Sequence, residues 1–296
     1  MGQFLGAPSA GPRRLRKLLS SAELILAPGV FDGLGARLVE EAGFPAVYMT
    51  GFGTAAALLG RPDVGLLTMN EMVENAARIV AACDLPVIAD ADTGYGNPLN
   101  VIRTVQEYER AGVAAIHIED QVAPKKCGHM DGKQVIAVGE MEAKIRAAVA
   151  ARRNPDFVLI ARTDARAVEG LDAAIERARR YRQAGADALF VEAMESAAEI
   201  ETVARQLHDV PLLFNWAEGG RTPPIDHATL AALGFKIVIF PIATLLGSTA
   251  WMRAALAEIR RAGTPLPILA DLPRFAEFLD FIGLPEIRDL EQRFGS

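Results

Sequence analysis

Short apolar runs alternate with alanine-rich amphipathic segments along nearly the whole chain, and that alternation restricts the fold more than any other feature. The runs fall at 24–30, 46–51, 86–92, 114–120, 157–164, 188–193, 211–216 and 237–242. Between them, 70–82, 99–111, 139–151, 171–184 and 197–207 carry apolar residues at helical spacing. Four segments stop alike, at Ala42-Gly43-Phe44, Ala111-Gly112-Val113, Ala184-Gly185-Ala186 and Leu233-Gly234-Phe235. Glycine there supplies a left-handed helix end, and the next apolar residue starts a strand. Strands that are nearly all apolar imply a parallel sheet covered by helices. Eight such units predict an α/β chain closed as a (β/α)8 TIM barrel. A doubly wound open sheet is the competing arrangement.

Residues 1–296 are expected to form one barrel domain with a short N-terminal helical extension and a C-terminal helical tail from about 264 to 296. The first twenty residues read as an amphipathic helix covering the barrel bottom. A last barrel helix at 245–262 precedes the breaker Gly263-Thr264-Pro265-Leu266-Pro267, and short helices are expected at 272–283 and 285–294. Phe275, Phe278, Leu279, Phe281 and Ile282 give this tail more apolar surface than a solvated appendage should have. It is expected to pack on the barrel or on a second subunit.

No apolar run reaches the roughly 18–20 residues of a membrane span. The basic N-terminal residues are not followed by the apolar region of a secretory signal. A net charge of -6 opposes nucleic-acid binding. Cys83 and Cys127 lie in unlike contexts and make a poor disulfide framework, which fits a reducing cytoplasm.

In a barrel the chemistry belongs at the C-terminal strand ends, and polar residues gather there. Asp90 and Asp92 stand two apart on the third strand, so their side chains should leave one face. Converging carboxylates need a cation, and oxygen-only ligands suit Mg²⁺ or Mn²⁺. Glu119 ends the fourth strand and could join the metal directly or through water, whereas His117 reads as a hydrogen-bonded core histidine. Arg162 could fork onto a substrate carboxylate or form a buried ion pair with Asp164 or Glu192. Glu192 and Asn215 end strands six and seven. Two turns, Thr50-Gly51-Phe52-Gly53 and Glu218-Gly219-Gly220-Arg221-Thr222, offer backbone amides for an anionic oxygen. Asp63 follows on the first of these connections. No lysine ends a strand, which counts against Schiff-base chemistry.

The connection from Gln121 to about Val138 exceeds the roughly 2–6 residues usual between strand and helix, so it reads as a lid. It carries Lys125-Lys126-Cys127-Gly128-His129, a thiol whose neighbours should favour its thiolate.

At these residues the chain resembles the isocitrate lyase/phosphoenolpyruvate mutase superfamily. The resemblance runs from about 24 to 262, through Asp90-Ala91-Asp92-Thr93-Gly94-Tyr95-Gly96-Asn97, Ile118-Glu119-Asp120-Gln121, 125–129, Ala161-Arg162-Thr163-Asp164 and Asn215-Trp216-Ala217-Glu218-Gly219-Gly220. It implies a barrel whose eighth helix is exchanged between subunits, usually within a homotetramer. It implies Asp92 as the nearest Mg²⁺ ligand, with Asp63, Asp90 and Glu119 completing the shell largely through water. Tyr48, Thr50, Gly51 and Phe52 would surround a pyruvyl group, Arg162 would hold a carboxylate, and His129, Glu192 and Asn215 would line the far side.

The same resemblance makes Cys127 the acid that protonates a departing enolate, and the cysteine-bearing lid marks the lyase branch. The implied activity is Mg²⁺-dependent C–C cleavage of a 2-hydroxy di- or tricarboxylate, of 2-alkylmalate or methylisocitrate type. Products would be pyruvate or a related 2-oxo acid plus a carboxylic acid. Tyr48 is the candidate for removing the hydroxyl proton. The alternatives are a carboxyphosphonoenolpyruvate mutase or an oxaloacetate hydrolase, the latter disfavoured by Pro241 where such enzymes favour serine. A barrel that only binds a small acid is a further alternative.

Overall fold

In a computed structural model describing Leu5 and residues 10–295, the eight runs form β1 (Ile25–Val30), β2 (Val47–Met49), β3 (Val87–Asp90), β4 (Ala115–Glu119), β5 (Val158–Thr163), β6 (Ala188–Val191), β7 (Leu212–Asn215) and β8 (Ile237–Phe240). Every neighbouring pair is parallel, and β8 closes onto β1, so the barrel and not the open sheet is correct. The four glycine stops all have positive φ: 81° at Gly43, 83° at Gly112, 112° at Gly185 and 88° at Gly234. At each, the glycine N–H and the following N–H close the helix by the same two hydrogen bonds, as in Gly43 N to Glu40 O and Phe44 N to Val39 O.

The helices are α1 (Gly11–Ser20), α2 (Gly33–Glu41), α3 (Gly51–Leu59), α4 (Met69–Ala82), α5 (Pro98–Arg110), α6 (Val138–Ala151), α7 (Arg166–Glu169), α8 (Leu171–Gln183), α9 (Ala197–Gln206), α10 (His227–Ala232), α11 (Ala243–Ala262), α12 (Phe275–Phe281) and α13 (Leu284–Phe294). The five predicted helices lie within a residue of α4, α5, α6, α8 and α9. The stretch read as an amide-rich turn at 50–53 is instead the start of α3, with Thr50 as its cap. Thr50 Oγ1 accepts from Gly53 N at 3.2 Å.

Two apolar layers hold the fold. One lies between sheet and helices, and the other fills the barrel with Ile25, Ile88, Val158, Ile160, Phe190 and Ile237. Leu15 of α1, wholly buried, joins the inner layer, and Arg16 donates to the Asp156 and Phe157 carbonyls at 3.2 and 3.0 Å. α1 thus packs where β5 begins; residues 1–4 and 6–9 of the extension lie outside the described residues.

Past β8 the character changes. No residue of α11, α12 or α13 is buried, and Leu246, Trp251, Met252, Leu256 and Ile259 of α11 are exposed. The breaker region forms a short 3-10 helix, Leu266–Asp271, that the sequence did not suggest.

Candidate active site

The site floor is written in the register of adjacent strands. Tyr48 pairs with Ile88, Asp90 with His117, Glu119 with Arg162, and Arg162 with Phe190. Tyr48 Oη lies 2.9 Å from His117 Nε2, and Asp90 Oδ1 lies 3.7 Å from the same nitrogen. Burial lowers the His117 pKa to about 4 and raises Tyr48 well above the usual phenol value, so both are neutral. His117 is thus the expected core histidine, directly beneath the site.

Four carboxylates gather above this floor, all buried: Asp63, Asp90, Asp92 and Glu119. Asp92 does not share a strand face with Asp90 as the two-residue spacing suggested. β3 ends at Asp90, and Asp92 turns away at φ 47° with its N–H donating to Asp90 Oδ1 at 2.9 Å. Aspartate tolerates that left-handed conformation better than most residues. Burial, with the charges of Asp90 and Asp63, raises Asp92 to about 6 against the opposing pull of Lys125.

Lys125, close to the thiol in sequence, belongs to the carboxylates. Its ammonium donates to Asp63 Oδ2 at 2.6 Å and lies 2.7 Å from Asp92 Oδ1. Among the described residues the acidic side chains do not close into a direct three-ligand cage. The donor set nonetheless suits a hard divalent cation held largely through water: it is all oxygen, both Glu119 carboxylate oxygens are buried without a hydrogen bond, and a cationic ammonium already sits among the acids.

Arg162 is buried among three carboxylates, so the ion pair is realised. Asp164 takes it by two parallel bonds, Nε to Oδ2 at 2.9 Å and NH2 to Oδ1 at 3.0 Å. Glu119 Oε2 lies 3.3 Å from Nε and Glu192 Oε2 lies 3.2 Å from NH2. The Arg162 guanidinium also sits 5.1 Å from the Phe190 ring centroid. Glu192 reaches across to Asn215 Nδ2 at 3.1 Å and His129 Nε2 at 3.4 Å.

The lid packs down on this frame. Val122 N donates to Gln134 O, Ile136 N to Asp120 O, and Gln121 exchanges two hydrogen bonds with the Lys126 backbone. Gly128 touches the clamp: a Cβ there would stand 2.5 Å from Arg162 NH2 and 2.7 Å from Glu192 Cδ. Gly220 is small for a related reason, because a Cβ would meet His129 Nδ1 at 2.8 Å. Its N–H is used within its own turn, to Ala217 O at 3.0 Å, and the next amide, Arg221 N, donates to His129 Nδ1 at 3.1 Å. These two amides of the glycine-rich turn are therefore spent inside the protein.

Cys127 corrects the thiolate expectation. Lys125 is spent on Asp63 and Asp92, and Lys126 Nζ donates to Gly132 O. Burial raises the thiol pKa, helped by Glu192 and Asp63, more than the His129 backbone and Arg162 lower it. The sulfur stays protonated near neutrality, as an acid requires.

A cavity of about 220 Å³ unites these parts. It is lined by Tyr48, Thr50, Phe52, Asp63, Asp90, Cys127, His129, Arg162, Glu192, Asn215, Gly220 and Pro241, together with Lys125 and Ile242, which the sequence does not place at the substrate. Three expected residues sit off its wall. Glu119 is wholly buried, Gly51 presses its backbone against Asp90, and Asp92 faces a neighbouring cavity of about 510 Å³ across Lys125.

Known proteins resemble this chain along nearly its whole length. The phosphoenolpyruvate phosphomutase family profile matches residues 15–260. The 2,3-dimethylmalate lyase of Eubacterium barkeri is 47% identical over 283 residues, covering 96% of this chain and 98% of that protein. The 2-methylisocitrate lyase of Aeropyrum pernix is 46% identical, covering 94% of this chain and 88% of its own. A solved structure of oxaloacetate acetylhydrolase with the inhibitor 3,3-difluorooxalacetate superposes with a TM-score of 0.91 at 41% identity, covering 98% and 99% of the two chains. The chain belongs to the phosphoenolpyruvate phosphomutase family, within the isocitrate lyase/phosphoenolpyruvate mutase superfamily.

Proposed function

We propose that this chain is a divalent-metal-dependent carbon–carbon lyase that splits a 2-hydroxy di- or tricarboxylate of 2-alkylmalate or methylisocitrate type into pyruvate, or a related 2-oxo acid, and a carboxylic acid. One observation carries the reading: a protonated thiol on a closed lid and a buried guanidinium line the same cavity as Asp63 and Asp90 of the acidic cluster. The similarity to a 2,3-dimethylmalate lyase across nearly the whole chain supports it.

Asp92, Asp90, Asp63 and Glu119 would hold Mg²⁺, or Mn²⁺, largely through water. Such an ion supplies Lewis-acid stabilisation of negative charge on the oxygens of a 2-oxo acid. Thr50, Gly51 and Phe52 shape the pocket for the pyruvyl end, with Gly51 bare because a side chain would overlap Asp90. Tyr48, kept neutral by burial, hydrogen-bonds the substrate hydroxyl rather than taking its proton as a phenolate. Arg162 spends Nε and NH2 on Asp164, Glu119 and Glu192, and we assign NH1 to the departing carboxylate. Glu192, Asn215, His129 and Gly220 form the distal wall. As the C–C bond breaks, the hydroxyl oxygen becomes the oxo oxygen and its proton passes to solvent, the bonding electrons leave with the carboxylic-acid fragment, and Cys127 Sγ gives its proton to the carbon of that fragment, to be reprotonated from solvent afterwards.

The chain acts as a single barrel with a subunit-packing tail, in a homo-oligomer that exchanges α11 within a tetramer; the exposed apolar side of α11 supports this. No helix among the described residues is long and apolar enough to cross a membrane. Two free thiols favour a reducing cytoplasm.

The test is pyruvate release by purified protein with Mg²⁺, coupled to lactate dehydrogenase. The panel holds 2,3-dimethylmalate, other 2-alkylmalates and 2-methylisocitrate, with oxaloacetate followed separately through acetate and oxalate. The expected result is EDTA-sensitive pyruvate from one malate-type acid and its near loss in Cys127→Ser, with Mg²⁺ and pyruvate binding retained. Full activity in Cys127→Ser sinks the acid assignment, and turnover of oxaloacetate alone moves the chain to hydrolysis.

A further inference from the structure

Lys133 lies in the lid yet has no part in the chemistry above. Its side chain is only 2% exposed and pairs at 2.9 Å with Asp164, which is wholly buried. The same ammonium donates to Gly128 O, so it ties the far half of the lid to the half that touches the clamp. Asp164 is the carboxylate that grips Arg162 through two bonds. It is fixed from behind, with its N–H donating to Asp120 Oδ1 at 2.9 Å. Asp120 in turn accepts from Thr163 and Tyr181, each at 2.7 Å. One rigid carboxylate therefore serves both a lysine on the lid and the guanidinium in the cavity. Burying an ammonium is costly even when it is paired, and an apolar residue could fill such a site at less cost.

We infer that Lys133 is a latch, a positioning residue that couples lid closure to the seating of Arg162 through their shared partner Asp164. With the lid down, Lys133 occupies Asp164 Oδ1 and holds Gly128 against Arg162 NH2. When the lid lifts, the ammonium leaves with it, and Asp164 answers to Arg162 alone. The effect on catalysis rests on the reading of Arg162 as a carboxylate clamp; the closure does not.

Backbone hydrogen exchange across 122–134, read on the intact protein, tests closure directly. In Lys133→Met, exchange in the lid is expected to rise by about 100- to 1000-fold, the order set by removing one buried charged partner. With Mg²⁺ and oxalate as the probe, affinity is expected to fall roughly 10-fold, and KM to rise more than kcat falls. Parental lid exchange together with parental oxalate affinity overturns the latch. So does faster exchange spread evenly over the barrel, which would make Lys133 an ordinary stabilising residue. Fast lid exchange in a protein that turns over none of the acids supports the latch while sinking the lyase reading. Should Lys133→Met not fold, Lys133→Gln, neutral but still able to donate to Gly128 O, takes the same measurements.

Discussion

Gly128→Ala isolates the cost of closing the lid. The new methyl would stand 2.5 Å from Arg162 NH2 and 2.7 Å from Glu192 Cδ and Cγ, well inside contact distance. Neither partner can retreat cheaply. Arg162 is held by Asp164 at 2.9 and 3.0 Å, and Glu192 by Ala193 N at 2.7 Å and by Asn215. Overpacking of this kind costs about 1–3 kcal/mol. The loop can escape by lifting, so the penalty falls on closure and not on the fold. At about 1.4 kcal/mol per factor of ten, kcat/KM should drop roughly 5- to 150-fold. The thermal midpoint should stay near the parental value, because the barrel layers are untouched. Steady-state pyruvate release and a melting curve on the same preparation measure both. Parental kcat/KM would refute a closed lid as the reactive state. A large fall in melting temperature would refute the claim that the loop absorbs the clash.

Two further outcomes are expected. The Asp92 carboxyl, raised to about 6, and the Glu119 carboxyl, raised well above its usual value by burial, must lose their protons before they ligate a cation, so Mg²⁺ affinity by calorimetry should weaken as pH falls through 6, by at least about tenfold per unit well below it, with proton uptake by the buffer; an affinity constant from pH 8 to pH 5 would contradict this. Replacing the exposed Leu256 of α11 by Asp should split the oligomer in light scattering while leaving the secondary structure unchanged; an unchanged mass would place the subunit contact elsewhere.

What the sequence made legible was local or periodic. Gly43, Gly112, Gly185 and Gly234 announce helix ends because only a left-handed residue permits those two closing bonds. Strand ends rich in Asp, Glu, Arg and Asn announce the reactive face once a barrel is accepted. Errors came where local spacing was extended past the element that justifies it. Asp92 looked like a face-mate of Asp90, but β3 has already ended and the chain has turned. Lys125 looked like a partner of Cys127, two residues away, yet its charge goes to Asp63, 62 residues back, a pairing that only the closed barrel creates. The thiol's protonation followed the same logic, because burial outweighs neighbours that sequence counts as close. Lys133 and Asp164 meet through a loop folded over a strand end, a non-local contact that no periodicity encodes.

The register of the sheet separates what can change from what cannot. Asp90 beside His117 and Glu119 beside Arg162 are set at neighbouring positions by the ladder of the barrel itself. The floor of the site is therefore a fixed chassis. The lid is moored to its surroundings by Ile136 N to Asp120 O, by Arg221 N to His129 Nδ1 and by the buried Lys133–Asp164 and Lys125–Asp63 pairs. A loop that keeps those moorings can be exchanged as a cassette, re-equipping the roof with a different proton donor without disturbing the spacing of the groups below. Shared architecture with hydrolases, mutases and lyases is what such a division of labour would leave behind.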